Sequence, residues 1–378
     1  MARRNHPREL NAAANNLAFC FAGPADDTDL RRLLRENPIR GAISVAFTRE
    51  PDYFSGTALA GGSDRTLLAR ENGRLVATGH VVTRPCWLNG EVRPCAYLGE
   101  LRLDASGQGR WDIIRRGYAR FAEDYAGQPA DFCFTSIITD NHRASRLLER
   151  GVRGLPRYEF IGNFVTLLLP TGERRAACDY EAVTGADVPL NDLACFLNES
   201  ASTRQLATHW TTDLLTSLSR HGLGLEDFVV LRRGGKILGC AGIWDQRSFR
   251  QVRVHRYAPW LAACRPFVNL FAPLLGQPRL PAPGEILDQA FLWPLALAPE
   301  GIAALPSLLA LARHAAARRG LACLALGYAE SDTMLAPILR QIRGRRYASR
   351  LYQVKWTGIE AAVSKLDARP CFPDIALL

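Results

Sequence analysis

Residues 95–115, CAYLGELRLDASGQGRWDIIR, pass from a predicted strand through a glycine-containing loop into a predicted helix. Alternation along the strand places Leu101 and Glu100 on opposite faces. The loop consists of small and polar residues, and Trp111 begins a segment with helical spacing. A loop that opens a helix in this way can bind an anionic group through its backbone N–H groups.

The segments on either side of this stretch predict more strands and helices of the same kind. Asn-Gly pairs at residues 72–73 and 89–90 lie between apolar runs and indicate two hairpins. Residues 27–37 form an amphipathic pattern with acidic residues in its first turn, and Pro38 ends it. We therefore expect an α/β fold with an α+β mixed sheet. Further strands are predicted over 43–47, 132–138 and 158–169, and further helices over 111–125 and 141–150.

The second half of the chain repeats this order in weaker form. The apolar runs of residues 228–244 flank a glycine turn in which Gly235 stands opposite Gly73 of the first half. Chance similarity between mixed segments is the alternative, but the shared order of elements favours a duplication. Strands are predicted over 291–299, 321–328 and 349–356, and helices over 302–319 and 333–343. The predicted division is a first domain over 1–170, a second over 171–358 and a tail over 359–378.

The composition limits the class of protein. The chain has 378 residues, 48% of them hydrophobic, and a net charge of +10 that is carried almost entirely by arginine. Its ten cysteines include no C-x-x-C pair, which is typical of reduced thiols in a cytoplasmic protein. No run of about twenty apolar residues occurs, so we expect no membrane-spanning segment and no membrane partner. Histidine and cysteine spacing predicts no metal site.

Two motifs resemble the GNAT superfamily of coenzyme A-dependent acyltransferases. Residues 103–113, LDASGQGRWDI, have the length of the family's pyrophosphate loop, in which Trp111 and Ile113 replace two small residues. Residues 141–150, NHRASRLLER, match the family's N-x-x-A-x-x-L-Y-E-K pattern with Leu148 in place of tyrosine. The second half has Leu-Ala-Pro at residues 297–299 but no such loop. The resemblance therefore implies two tandem GNAT-like domains, of which the second is degenerate.

The resemblance also implies where an acyl-coenzyme A would bind. In the family, the strand backbone carries the thioester arm and the loop amides hold the pyrophosphate. Trp111 and Ile113 would narrow that approach, unless Trp111 points into the core. The donor-binding residues implied are Leu101, Leu103, Gln108, Gly109, Arg110, Trp111, Asp112, Ile113, Asn141 and Ala144.

Two residues are predicted to be catalytic on the same basis. An acidic residue on this strand often takes the proton from the attacking amine in the family, and a partly buried Glu100 with a raised pKa would suit that role. The alternative is that Glu100 pairs with Arg102 or another arginine. Tyr158 could replace the missing tyrosine that protonates the leaving thiolate. Its alternative role is that of a buried structural residue.

Arginines and aromatics follow the second hairpin. Residues 247–260 contain four arginines together with Tyr257 and Trp260. Such a group can bind an anionic or planar part of a substrate, or can form a solvated strand edge.

The function expected is N-acyl transfer from acetyl-CoA, or another acyl-CoA, to a small-molecule or peptide amine. One alternative is a donor carried by an acyl carrier protein or a tRNA, which the positive charge would suit. A non-catalytic binding protein that retains the fold is another.

Overall fold

The strands form two sheets in the computed structural model. A mixed sheet of 12 strands has the order β1-β3-β4-β5-β6-β14-β7-β13-β12-β10-β9-β8, and β11 and β2 form a separate ribbon. The predicted mixed α/β class is confirmed. The strands are β1 Leu17–Phe21, β2 Ile43–Thr48, β3 Ser63–Glu71, β4 Arg74–Leu88, β5 Glu91–Leu103, β6 Phe132–Ile138, β7 Arg157–Pro170, β8 Glu181–Thr184, β9 Phe228–Arg233, β10 Lys236–Trp244, β11 Gln251–Tyr257, β12 Gln289–Leu297, β13 Cys323–Ala329 and β14 Arg345–Lys355. The structure describes residues 16–57, 59–104, 109–127, 130–141, 148–149, 151–172, 179–272, 274 and 278–378.

Helices cover the sheet where apolar stripes recur along the chain. The predicted helices at 27–37, 111–125, 302–319 and 333–343 are present with small shifts at their ends. Of the predicted helix 141–150, only residues 148–149 lie inside a described helical stretch. The helices are α1 Asp27–Glu36, α2 Trp111–Gly127, α3 Leu190–Ser202, α4 Thr212–Ser217, α5 Pro259–Phe271, α6 Leu305–Arg318 and α7 Leu335–Gln341.

The Asn-Gly pairs form the predicted tight turns. Asn72 and Gly73 have φ values of 50° and 82°, and Asn89 and Gly90 have values of 52° and 83°. Asparagine and glycine tolerate this left-handed region, and consecutive positive φ values are what a two-residue hairpin requires. These turns join β3 to β4 and β4 to β5.

The two halves of the chain exchange strands at the centre of the sheet. β14, from the second half, pairs antiparallel with β6 of the first half, with Leu351 opposite Ser136. β7, from the first half, pairs antiparallel with β13, with Leu167 opposite Leu326. Each half of the sheet therefore contains a strand contributed by the other half. The boundaries at residues 170 and 358 stay a prediction.

A second connection between the halves lies outside the main sheet. The predicted strand 43–47 is present as β2, and it pairs with β11, where Val45 lies opposite Val254. Helix α5 follows β11 directly, in a region over which the sequence predicts no helix. This ribbon brings residues of the second half over the end of β5.

Candidate active site

A bulge interrupts β5 at Glu100. The register with β4 places Gly99 opposite His80 and Arg102 opposite Thr78, so two residues of β5 face one of β4. Glu100 has a φ of 51°, which is uncommon for a residue other than glycine. The simple alternation predicted for residues 97–103 is therefore wrong beyond Gly99. The bulge also redirects the Glu100 side chain.

An opening between β5 and β6 begins at the same place. The two strands pair in parallel only from Cys95–Phe132 to Leu98–Thr135. Beyond this point the backbone groups of β5 that face β6 have no partner strand in the described part of the chain. Unpaired N–H and C=O groups are strong hydrogen-bonding sites for a ligand.

This opening leads into a large cavity. Its volume is about 2410 Å³, and residues from both halves line it, including the ribbon β2–β11. Pockets for one small ligand are usually about 300–1,000 Å³. Two substrates can therefore occupy the cavity together. Among its lining residues are Leu101, Leu103, Ile113, Asn141 and Tyr158, all predicted from the sequence.

Glu100 forms an ion pair with an arginine that the sequence analysis does not identify. Arg49 donates from Nη2 to Glu100 Oε1 at 2.9 Å, and its guanidinium lies 4.5 Å from the centre of the Tyr53 ring. The Tyr53 hydroxyl also donates to Glu100, at 3.5 Å. The arginine that pairs with Glu100 is therefore Arg49 and not Arg102, and the catalytic role of Glu100 stays a prediction.

The ion pair reverses the expected pKa shift of Glu100. Burial favours the neutral carboxylic acid, but the charge of Arg49, followed by that of His80, outweighs it and lowers the pKa of Glu100 far below its usual range. The expectation of a raised pKa is wrong. Glu100 is ionised at neutral pH.

His80 connects Glu100 to a second carboxylate. His80 Nδ1 lies 3.9 Å from Glu100 Oε2, while Nε2 forms a hydrogen bond with Asp64 Oδ1. Asp64 thereby fixes the orientation of the imidazole ring. The sequence places His80 and Asp64 on adjacent strands of the first hairpin, but nothing in it predicts their link to Glu100.

The start of α2 holds charges of its own. Arg110 donates to both carboxylate oxygens of Asp112, at 2.8 and 2.6 Å, and to Glu71 at 3.0 Å. This contact with Arg110, together with the backbone N–H groups of Asp112 and Ile113, lowers the pKa of Asp112. A carboxylate therefore lies where the helix would attract an anion. Gly109, just before it, has a φ of 88° that suits glycine.

The two unusual residues of the loop point away from each other. Trp111 is 53% exposed, so the alternative in which it points into the core is wrong. Ile113 is 2% exposed and packs with Leu17 and Val76. Gln108 and Ala144 lie outside the described residues.

Tyr158 shares a hydrogen bond with a second tyrosine. The hydroxyl oxygens of Tyr158 and Tyr118 are 2.6 Å apart, and Leu148 belongs to the same apolar cluster. Burial raises the pKa of Tyr158 well above its usual value and that of Tyr118 to about 12. Both hydroxyls therefore keep their protons at neutral pH.

The corresponding gap in the second half is filled. β12 pairs in parallel with β13 only along residues 289–291. Trp293, beyond that point, donates from Nε1 to Asp374 Oδ1 at 2.5 Å. Ile375 packs so closely on Gly327 of β13 that a Cβ there would lie 2.9 Å from Ile375 Cβ. Residues 371–377 thus occupy the position that is open in the first half.

Comparisons with solved structures identify this architecture. The chain is similar to Saccharomyces cerevisiae N-myristoyltransferase with bound myristoyl-CoA, at 11% identity and a TM-score of 0.58, over 94% of this chain and 84% of that one. It is also similar to a GCN5-related N-acetyltransferase from Sphaerobacter thermophilus, at 14% identity and a TM-score of 0.52, over 92% and 98% of the two chains. The chain has a duplicated GNAT fold. No protein-family model matches its sequence, and no curated protein matches it.

The arginines of the second GNAT-like half are mostly engaged. Arg247 pairs with Asp245 and Asp288, and Arg250 donates to backbone oxygens, including that of Leu378 at 2.8 Å. Arg253 donates to the Gly284 oxygen. The predicted anion site along residues 247–260 therefore has few arginine groups left to bind a substrate.

Two further observations concern metal binding and membrane spans. Among the described residues, no three histidine, cysteine or acidic side chains gather as a metal site would require. The described helices include none with the length and apolar character needed to cross a bilayer.

Proposed function

We propose that this protein is an N-acyltransferase that takes an acyl group from a coenzyme A thioester and binds this donor in the opening between β5 and β6. The observation that carries the proposal is the contrast between the two halves. The gap beyond Leu98 opens into the cavity, whereas residues 371–377 fill the gap of the second half. One half is therefore assigned to the donor, and the other helps to enclose the acceptor amine.

The free edge of β5 supplies the groups that the reaction needs. In the transfer, the amine nitrogen attacks the thioester carbonyl carbon, a C–N bond forms and the C–S bond breaks. The carbonyl oxygen becomes negative in the intermediate, and a backbone N–H of β5 that faces the opening can stabilise it. The thiolate gains a proton to leave as coenzyme A, and the amine loses one.

Glu100 and Tyr158 are assigned to the two proton positions. An ionised Glu100 accepts a hydrogen bond from the acceptor amine or its water and stabilises the positive charge that develops on nitrogen. Because Arg49 keeps its pKa low, the proton passes on to solvent and does not stay on Glu100. Tyr158 keeps its hydroxyl proton and can donate a hydrogen bond to the departing thiolate, which then takes its proton from solvent.

The donor site combines predicted residues from three segments. The backbone of Leu101 and Leu103 would hold the thioester arm. The start of α2, from Gly109 to Ile113, would contact the pyrophosphate. Asn141 would contact the pantetheine arm, which joins the thioester to the pyrophosphate. Gln108 and Ala144 are assigned to the same site from the sequence motifs alone.

The cavity wall beside this opening favours an acyl chain longer than acetyl. Leu98, Phe121 and Ile137 line the cavity and belong to one apolar cluster with Leu148. Burying each methylene of a fatty acyl chain against such a wall stabilises the complex by about 0.8 kcal/mol. Acetyl-CoA, the donor predicted from the sequence, would leave much of this wall without contacts.

A donor on a carrier protein is the second candidate. The Asp112 carboxylate at the start of α2 repels a pyrophosphate at that place. A phosphopantetheine arm on an acyl carrier protein brings one phosphate and so meets less repulsion.

Thiol release from a series of donors tests the proposal. Purified protein is mixed with acetyl-CoA, octanoyl-CoA or myristoyl-CoA and a panel of small amines and peptides, and free thiol is measured. We expect amine-dependent release and calorimetric binding of at least one donor. If no acyl-CoA binds but an acylated acyl carrier protein loses its acyl group to an amine and so gains a free thiol, the carrier-bound donor replaces acyl-CoA. If neither donor binds, a donor carried by a tRNA and a non-catalytic GNAT-fold protein are the accounts that remain.

A further inference from the structure

Helix α5 presents an apolar face to solvent. Among the described residues, the four large apolar side chains with the highest exposed fractions lie in this helix or just after it. Single exposed apolar residues are common, but a contiguous set on one helix is not. They are Leu274 at 82%, Leu270 at 68%, Phe267 at 67% and Trp260 at 64%.

The polar side chains of α5 are turned toward the protein. Arg265 donates from Nε to the Leu280 oxygen at 3.0 Å. Asn269 donates to the same oxygen at 2.9 Å and accepts from the Leu280 N–H at 2.7 Å. Leu261, on the same side, packs with Val254 and Tyr257. These contacts hold α5 in an orientation opposite to that of an ordinary surface helix, whose apolar side faces the core.

The exposed side chains form one stripe along α5. Phe267 and Phe271 come seven and eleven positions after Trp260. On a helix of 3.6 residues per turn, this spacing places all three side chains on the same side. Leu270 extends the stripe on one side, and the exposed Leu274 follows the end of the helix.

Positive charge predominates around the stripe, although Glu285 lies near Tyr257, beside the start of α5. Residues 246–284 contain six arginines and neither aspartate nor glutamate. Arg256 and Arg279 are exposed, and among the described residues no carboxylate pairs with either of them. Aromatic and aliphatic side chains flanked by unpaired arginines are typical of a helix that lies at the surface of an anionic bilayer.

We propose that the exposed face of α5 binds the surface of a membrane that contains anionic lipids. Phe267, Leu270 and Phe271 would enter the boundary between headgroups and acyl chains, and Arg256 and Arg279 would contact lipid phosphates. This departs from the expectation, drawn from the lack of a spanning segment, that the protein has no membrane partner. Peripheral binding requires no spanning helix.

The position of α5 links membrane binding to the cavity. Trp260, Leu261 and Val268 also line the cavity, so the helix forms part of its rim. Membrane binding would place that rim at the lipid surface. An amphipathic substrate held in the bilayer could then reach the cavity without crossing water.

Vesicle sedimentation of the full chain, without any acyl donor, tests this proposal independently of the proposed reaction. Vesicles of phosphatidylcholine are compared with vesicles that also contain phosphatidylglycerol. We expect binding to the anionic vesicles that weakens in high salt. The double variant Phe267→Ser/Leu270→Ser should reduce the bound fraction at least about tenfold while its thermal unfolding stays unchanged, since both side chains are exposed.

Matched variants separate the stripe from general hydrophobicity and general charge. Val152→Ser/Met334→Ser removes two exposed apolar side chains elsewhere and should bind as the wild type does. Arg256→Gln/Arg279→Gln should weaken binding to the anionic vesicles only. Absence of wild-type binding, or an equal loss in the Val152/Met334 variant, would overturn the proposal. So would a wild-type dimer that Phe267→Ser/Leu270→Ser converts to a monomer, because a second copy would then cover the stripe.

Discussion

Arg49 Nη2 lies 2.9 Å from Glu100 Oε1, at the point where β5 bulges and leaves β6. Arg49 follows β2 of the ribbon, so the ion pair ties the ribbon to the main sheet at the edge of the cavity. The Arg49 side chain is buried, and the Glu100 side chain is partly buried. The pair therefore sets both the charge of the site and the local stability of the sheet.

Removing the charge of Glu100 should destabilise the protein. Glu100→Gln leaves the buried Arg49 guanidinium without its partner, which costs about 3–5 kcal/mol in the free energy of unfolding. Urea denaturation measures this difference. Glu91→Gln is the matched control, because Glu91 pairs with Arg93 at an exposed site, and its loss should cost less than about 1 kcal/mol. Equal costs for the two variants would show that the Arg49–Glu100 pair is not buried in solution.

Removing both partners should restore much of that loss. Arg49→Met/Glu100→Gln replaces the buried charge with an apolar side chain of similar length, and buried pairs replaced in this way are often neutral for stability. The coupling energy from the double-mutant cycle should be about 2 kcal/mol or more. A value near zero would mean that the two residues act independently.

The low pKa of Glu100 predicts a specific dependence on pH. A carboxylate whose pKa is lowered by folding stabilises the native state above its unfolded pKa of about 4.3, and this contribution is lost as the pH falls through the folded pKa. The difference in unfolding free energy between wild type and Glu100→Gln should decrease as the pH falls below about 4. A difference that stays the same below about pH 4 would contradict the lowered pKa.

Tyr158 and Tyr118 allow a rate effect to be separated from a structural one. Tyr158→Phe and Tyr118→Phe break the same hydrogen bond, so each should cost about 1 kcal/mol of stability. If Tyr158 donates to the leaving thiolate, only Tyr158→Phe should lower kcat, by about 100-fold or more, with little change in KM. Equal kcat values for both variants would assign Tyr158 a structural role.

Asp112 should weaken donor binding by its charge. Asp112→Asn removes a negative charge next to the expected pyrophosphate position and leaves Arg110 with Glu71 as its one carboxylate partner among the described residues, so Kd for acyl-CoA should fall about fivefold at low salt. Asp124→Asn is the control, because Asp124 lies near the other end of α2 and also pairs with an arginine, Arg65 at 2.5 Å. Weaker binding in Asp112→Asn would mean that the Arg110–Asp112 pair itself organises the site.

Local signals predict most of the elements. Asn72-Gly73 and Asn89-Gly90 fix their turns because few residues accept their φ values, and the helical spacing after Trp111 reproduces α2 closely. The exchange of β7 and β14 is different. A strand offers the same backbone donors and acceptors to any partner, so nothing in a single sequence states which distant strand β7 or β14 joins.

In the site, too, residues close together in the sequence could be predicted, and contacts between distant residues could not. Glu100, Leu101 and Leu103 could be placed because they share one strand with the loop motif. Arg49 could not, because it lies 51 residues earlier in the chain and reaches Glu100 only through the ribbon. The sequence does not predict helix α5, because Pro259 and Pro266 resemble loop signals, although Pro259 stands at the first position of the helix, where proline is tolerated.

Hydrogen–deuterium exchange with and without acyl-CoA tests most directly whether the donor binds between β5 and β6. The backbone N–H groups of residues 99–103 and the first turn of α2 should exchange more slowly when the donor is bound, and residues 292–297 of β12 should not change. Protection that appears at β12, or a bound donor that leaves β5 and α2 unprotected, would contradict the assignment of the donor to the first half.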